Sequence, residues 1–236
     1  MNIADSFHAI TAKLEKARGA SPIAAPTVTF LAASKGQTGF AIEQAIAAGM
    51  TIFGENRVQE AEDKWREIKE KHPNTHLHLI GPLQTNKVKQ SLSLFEVIQT
   101  LDRPKLAEAI AREIGKSGRR EDENKKPFPA SRLPDFQTSF YIQVNIGKEP
   151  QKAGVAVEEA DDFIHYCKKL GLPVVGLMCV PPADLPPAPF FALLREIALR
   201  NGLTQLSMGM SEDYETAVRM GSSCVRIGRA LFGEHI

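Results

Sequence analysis

No apolar run in this sequence approaches the ~20 residues that a membrane-spanning helix needs, so nothing in it argues for a membrane protein. Cysteine is scarce: Cys167, Cys179 and Cys224 are odd in number, far apart and never in C-x-x-C spacing. That disfavours a disulfide framework and a zinc site and points to a reducing cytoplasm. An excess of one charge is also missing, since 29 Lys plus Arg face 28 Asp plus Glu for a formal net charge of +1. No global field draws nucleic acid, an anionic membrane surface or a highly charged substrate, and partners must be argued from local sites. Residues 1–18 lack a signal-peptide pattern, because polar and charged residues interrupt their apolar ones every few positions.

What is present suits a globular protein with a sizeable core: 43% of the 236 residues are hydrophobic and 24% charged. Ile3, Phe7, Ile10, Leu14 and Ala17 recur at helical spacing and predict an amphipathic N-terminal helix. A repeating pattern follows, in which a short β-branched or aromatic run leads through a turn into a segment of helical periodicity, the signature of βα units. Strands are expected at 28–33, 51–53, 76–80, 95–100, 140–145, 174–180, 205–208 and 224–227. Helices are expected at 39–48, 57–71, 85–91, 105–114, 158–170, 190–200 and 213–220. Eight such strands in a chain near the typical ~250 residues predict a single (β/α)8 TIM barrel with an additional N-terminal helix, one domain over 1–236. A doubly wound open sheet is the alternative. The barrel is favoured because Lys35, Asn56, Gly81, Gln84, Asn145, Ser211 and Arg226 all fall at or just past strand ends, which a barrel gathers on one face. Residues 116–137 break the pattern and read as a polar surface insertion, and the proline-rich 181–189 as a rigid loop.

Three clusters carry chemistry. Lys35 ends the run Phe30-Leu31-Ala32-Ala33-Ser34, and a lysine emerging from a buried strand can supply the free amine that attacks an aldehyde. An ion-paired or snorkelling lysine is the plain alternative. Leu206-Ser207-Met208-Gly209-Met210-Ser211 runs through a glycine to a serine at an expected helix N-cap, a place suited to phosphate. Val225-Arg226-Ile227-Gly228-Arg229 points an arginine inward from the last strand and opens the next turn with glycine. TIM-barrel phosphate sites are often built from these two last loops, although Arg226 could instead pair with a carboxylate such as Glu55. Asn56 is placed to hydrogen-bond a ring oxygen, and Gly81 to let backbone approach a ligand. His76 and His78 share a strand face without a third ligand and read as packing or strand-edge residues rather than metal ligands.

These residues resemble the pyridoxal phosphate homeostasis family, whose fold is that of the alanine racemase N-terminal barrel. The matching strings span nearly the whole chain: Ala33-Ser34-Lys35, the segments 54–60 and 78–87, Gln143-Val144-Asn145, and the segments 176–182, 206–211 and 225–228. The resemblance implies that Lys35 binds pyridoxal 5'-phosphate (PLP) as a Schiff base, that Ser211 and the Gly228 turn hold its phosphate, and that Arg226 faces its pyridine nitrogen. Lys35, Asn56, Met208, Ser211, Arg226 and Gly228 are the expected cofactor-binding residues. Two departures stand out: the 116–137 insertion is long, and Arg229 stands where many relatives have threonine.

An arginine at the pyridine nitrogen only donates, which keeps that nitrogen unprotonated and weakens the ring as an electron sink. A racemase of the barrel's resemblance would need an opposing acid or base, which there comes from a tyrosine of a partner subunit beside an added β domain; this chain ends just after its last expected strand. The expectation is therefore a monomeric cytoplasmic carrier that buffers PLP, delivers it to apo PLP-dependent enzymes, and turns over no substrate. A PLP-dependent amino-acid racemase and a cofactor-free Schiff-base aldolase are the rivals.

Overall fold

The computed structural model describes residues 2–23, 27–120 and 138–233. Helix α1 (Ile3–Gly19) starts at Asn2, whose side-chain oxygen accepts the Ala4 N–H at 3.0 Å, satisfying a donor that the first turn leaves without an intrahelical partner. Ile3, Ser6, Ile10, Leu14 and Ala17 form its buried stripe. Phe7 lies half-buried at the edge of that stripe and stacks on Phe30 with ring centroids 5.9 Å apart.

Among the described residues nine strands follow: β1 (Thr29–Ala33), β2 (Ile52–Glu55), β3 (His76–Leu79), β4 (Val97–Leu101), β5 (Ser139–Asn145), β6 (Val155–Ala156), β7 (Val174–Met178), β8 (Gln205–Ser207) and β9 (Cys224–Ile227). All ladders are parallel, β4 pairs with β5, and β1 pairs with both β2 and β9. The sheet therefore closes into an eight-stranded barrel, and the open doubly wound alternative fails. The two-residue β6, unannounced in the sequence, adds to β5 outside the ring. Helices α2 (Gly39–Ala47), α3 (Val58–Lys71), α4 (Val88–Leu94), α5 (Pro104–Arg120), α6 (Ala160–Lys169), α7 (Ala188–Arg200), α8 (Tyr214–Arg219) and the single turn α9 (Arg229–Phe232) follow their strands. With α9 so short, α1 packs against α8, α9 and α2.

Residues 116–120, expected to open a surface insertion, instead extend α5. The helix is anchored upstream by buried Leu106, Ala107, Ile110 and Ile114, and it continues through Gly115, Ser117 and Gly118 despite their weak helix propensity. The rest of the expected insertion lies outside the described residues. Between barrel and helices, Phe53, Trp65, Phe140 and Phe191 are fully buried, each contributing about 1.5–3 kcal/mol.

Candidate functional site

Lys35 stands two residues beyond β1, in a turn bolted to the start of α3. Ser34 donates from its hydroxyl to Glu55 Oε1 at 2.7 Å and from its N–H to Gly54 O. The Gly36 N–H donates to Glu60 Oε1 at 2.8 Å, and Lys64 Nζ donates to Ser34 O at 3.0 Å. Lys64 and the Trp65 N–H also meet Glu55 Oε1, at 2.8 and 3.0 Å. The residues on either side of Lys35 are thus fixed while its own side chain is exposed and makes no hydrogen bond or ion pair among the described residues. The strand beneath is buried, but the amine is in the open. Of the plain alternative, the ion pair is not formed among the described residues.

The two expected phosphate loops come together. Ser211 Oγ, after β8, accepts the Ala230 N–H at 3.3 Å across the turn that Gly228 opens. Arg229 and Glu212, both exposed, tie the same loops at 3.0 Å; Arg229 therefore has a carboxylate partner. Ser211 is not the helix cap expected of it. α8 begins at Tyr214 after Asp213, and Asp213 Oδ1 accepts the Met210 N–H at 2.6 Å. Gly209 has φ 99°, and a Cβ there would lie 2.6 Å from the Ala217 Cβ, so only glycine lets this loop turn over α8. A Cβ on Gly228 would lie 3.1 Å from Ala33 O; the turn after β9 presses on the end of the strand that carries Lys35.

Arg226 projects into the barrel from β9, 6% exposed. Nη1 donates to Ser207 Oγ at 2.6 Å and Nη2 to Cys179 O at 2.8 Å. It has no carboxylate partner among the described residues, and the proposed pairing with Glu55 is ruled out because Glu55 is held by Lys64 on the outer side of β2. Burial lowers the guanidinium pKa from its ordinary value, an effect that the Asp213 carboxylate, outside ion-pair distance, only partly opposes. The chain of contacts continues where sequence reading saw nothing: Ser207 Oγ meets Gln99 Oε1 at 2.6 Å, and Gln99 Nε2 meets His78 Nδ1 at 3.0 Å. His76 and His78 do not share an environment: His76 is exposed, and His78 is buried with its pKa pushed down to about 4, chiefly by burial. The only signal in the sequence was the His76/His78 alternation on β3; Gln99 and Thr100 are adjacent on β4 and do not show which of them faces inward.

The other expected residues divide. A Cβ on Gly81 would lie 2.2 Å from Asn56 O, so the glycine admits the backbone of Asn56 rather than a ligand, and locks the β2 and β3 loops together. Asn56 is half-buried on the edge of a cleft of about 630 Å³ that also reaches Gln84 and Lys87. Met208 is fully buried in the hydrophobic core, its N–H donating to Cys224 O and its carbonyl accepting from Ser222 Oγ. Asn145 closes its own loop, donating to Glu149 O at 2.8 Å and accepting the Glu149 N–H. The three cysteines are free and buried. Among the described residues no group of three or more His, Cys, Asp or Glu could hold a metal, and no helix is long and apolar enough to cross a membrane.

A family profile described as alanine racemase, N-terminal domain, matches residues 7–235. The chain is 35% identical to the pyridoxal phosphate homeostasis protein of Pseudomonas aeruginosa, over 98% of this chain and 95% of that one. The chain belongs to the pyridoxal phosphate homeostasis protein family. Another structure similar to this family member is that of PipY from Synechococcus elongatus with PLP bound, at TM-score 0.74 and 31% identity over 98% of this chain and 100% of PipY. Alanine racemase from Corynebacterium glutamicum, at TM-score 0.65 and 15% identity, covers 99% of this chain and 63% of its own and shares the fold alone.

Proposed function

We propose that this chain binds PLP covalently through Lys35 and serves intracellular PLP homeostasis, buffering the cofactor and delivering it to apo PLP-dependent enzymes without turning over a substrate. One observation carries the reading. Four strands adjacent in the ring, β8, β9, β1 and β2, end on the same face and bear Ser211, then Arg226 and Gly228, then Lys35, then Asn56. The residues suit the cofactor's parts. An amine without a partner among the described residues stands in the open, a buried guanidinium makes no ion pair among the described residues, and two cross-tied loops present a hydroxyl and backbone N–H groups, which hold phosphate well.

In this reading the cofactor supplies an aldehyde that an amine captures and a ring that can withdraw electrons. Lys35 Nζ presents the amine, on a turn that Glu55, Glu60 and Lys64 keep in place. Ser211 and the 228–230 backbone hold the phosphate, Asn56 orients the ring's oxygen, and Met208 backs the loop from the core. Arg226 donates a hydrogen bond at the ring nitrogen and, being always protonated, cannot give that nitrogen a proton, which disfavours chemistry that needs the electron sink. We further read the chain as one domain over 1–236 that acts as a monomer in the cytoplasm, a compartment that suits three free thiols.

The test is reduction of the PLP-loaded protein with borohydride, followed by peptide mapping. The modification is expected on Lys35 and absent from Lys35→Ala, and an adduct at full stoichiometry in that variant would assign the anchor elsewhere. Amino-acid racemisation at roughly 1 s⁻¹ or faster, an ordinary enzyme rate, would overturn the carrier reading.

A further inference from the structure

The interior of the barrel holds a line of polar side chains, Arg226, Ser207, Gln99 and His78, all buried, in a place that barrels commonly fill with branched apolar residues. The line has a direction, and Arg226 sets it. A guanidinium has donors only, so Ser207 Oγ accepts from Nη1 at 2.6 Å and must turn its own hydrogen to Gln99 Oε1, also at 2.6 Å. That fixes the Gln99 amide with its nitrogen toward His78 Nδ1 at 3.0 Å. His78 Nδ1 therefore accepts, and its proton resides on Nε2. Gln99 Nε2 also lies 3.8 Å from Cys224 Sγ, and Arg226 Nη2 is held by Cys179 O. Every member is oriented by the one before it, so the plane of the guanidinium is held at two of its nitrogens by Cys179 O just past β7, by Ser207 of β8 and, through Ser207, by Gln99 of β4.

Resting on the proposed function, we infer that Ser207 and Gln99 are positioning residues for Arg226, aiming its remaining N–H donors at the ring nitrogen of bound PLP. A free guanidinium would rotate about its stem and lose that alignment, and a directed chain of buried hydrogen bonds prevents the rotation because each misaligned donor would be left without an acceptor. Gln99, at the centre of the chain, is the one side chain that both accepts from Ser207 and donates to His78, which explains an amide buried in mid-barrel.

The experiment uses the full chain loaded with PLP and reads the absorption maximum of the bound cofactor, its pH titration and the apparent PLP affinity. Ser207→Ala and Gln99→Met are each expected to shift the spectrum and to weaken PLP binding by about 3- to 10-fold, while Ser207→Thr, which keeps the hydroxyl, restores both. In an Arg226→Met background, Ser207→Ala is expected to change nothing further, since its effect passes through the arginine. A Ser207→Ala protein that melts earlier but keeps the wild-type spectrum and affinity would reduce the chain to a structural role. So would an equal spectral shift with and without Arg226. Should Ser207→Ala not fold, Gln99→Met carries the same comparison. If the unsubstituted protein forms no Lys35 adduct, the proposed function itself falls, a result distinct from an adduct that Ser207→Ala leaves untouched.

Discussion

Two buried charges, one on each side of the sheet wall, are treated in opposite ways. Glu55, at the end of β2, is fully buried; its Oε1 meets Lys64 Nζ at 2.8 Å together with Ser34 and Trp65, while its Oε2 is buried without a hydrogen-bond partner among the described residues. Arg226, at the end of β9, is nearly as buried, yet its contacts are a hydroxyl and a carbonyl rather than an anion. Desolvating a charge is costly unless a partner offsets it. Glu55 has that partner within the chain and serves the fold, holding the Lys35 turn against α3. Arg226 has no ion-pair partner among the described residues, and in the proposed function it serves the ligand. What separates the two is the ion pair: Glu55 has one within the chain, and Arg226 has none among the described residues.

The comparison can be broken by removing one partner on each side. Lys64→Met strands Glu55 as an uncompensated buried charge and is expected to destabilise the fold by about 3–5 kcal/mol in urea unfolding; a loss under 1 kcal/mol would mean that the pair is not structural. The interior line has its own acid limit. The folded His78 pKa, pushed down to about 4 from 6.5 chiefly by burial, lies below that of the unfolded chain, so the unfolded state takes up the proton first as pH falls. Stability is fully present above about 6.5 and declines from there to about 4, by up to about 3 kcal/mol. His78→Gln should flatten that limb of the stability profile, and an identical slope in both proteins would place the titration elsewhere.

Arg226→Met sharpens the contrast, because it removes the charge itself rather than its partner. Its cost is expected to be about 1–3 kcal/mol, from the acceptors Ser207 Oγ and Cys179 O left unfilled, with a much larger change in the spectrum of bound PLP. A cost above that of Lys64→Met would make Arg226 an architectural residue. At the small end, Lys35→Ala should move stability by no more than about 0.5 kcal/mol, since the side chain is exposed and unpaired; its measurable loss is the covalent adduct.

Much of the fold was legible in the order of residues. Periodicity placed all eight barrel strands and the N-terminal helix, because alternation and 3.6-residue spacing are local properties. It failed where a boundary depends on continuation rather than pattern: α5 runs on through 116–120, and Phe7 sits at the margin of the α1 stripe instead of beneath it. In the candidate site, the strand-end positions of Lys35, Ser211 and Gly228 were readable from small-residue neighbours. Ser207 and Gln99 were not, since nothing in a strand's own sequence tells which face points into a barrel and which toward the helices, and Glu60 and Lys64 were not because a helix's own pattern does not show which loop it supports.

The sequence alone determined the βα alternation, the near-neutral charge and the set of strand ends on which chemistry is gathered, because these follow from local spacing and composition. Tertiary structure decided which charges are satisfied. Glu55 and Lys64 lie nine positions apart and are joined by the turn from β2 into α3, whereas Ser207 and Gln99 are separated by 108 positions and meet only when the sheet closes. Whether a buried group has its partner depends on distances across the ring, and those exist only once β1 pairs with both β2 and β9.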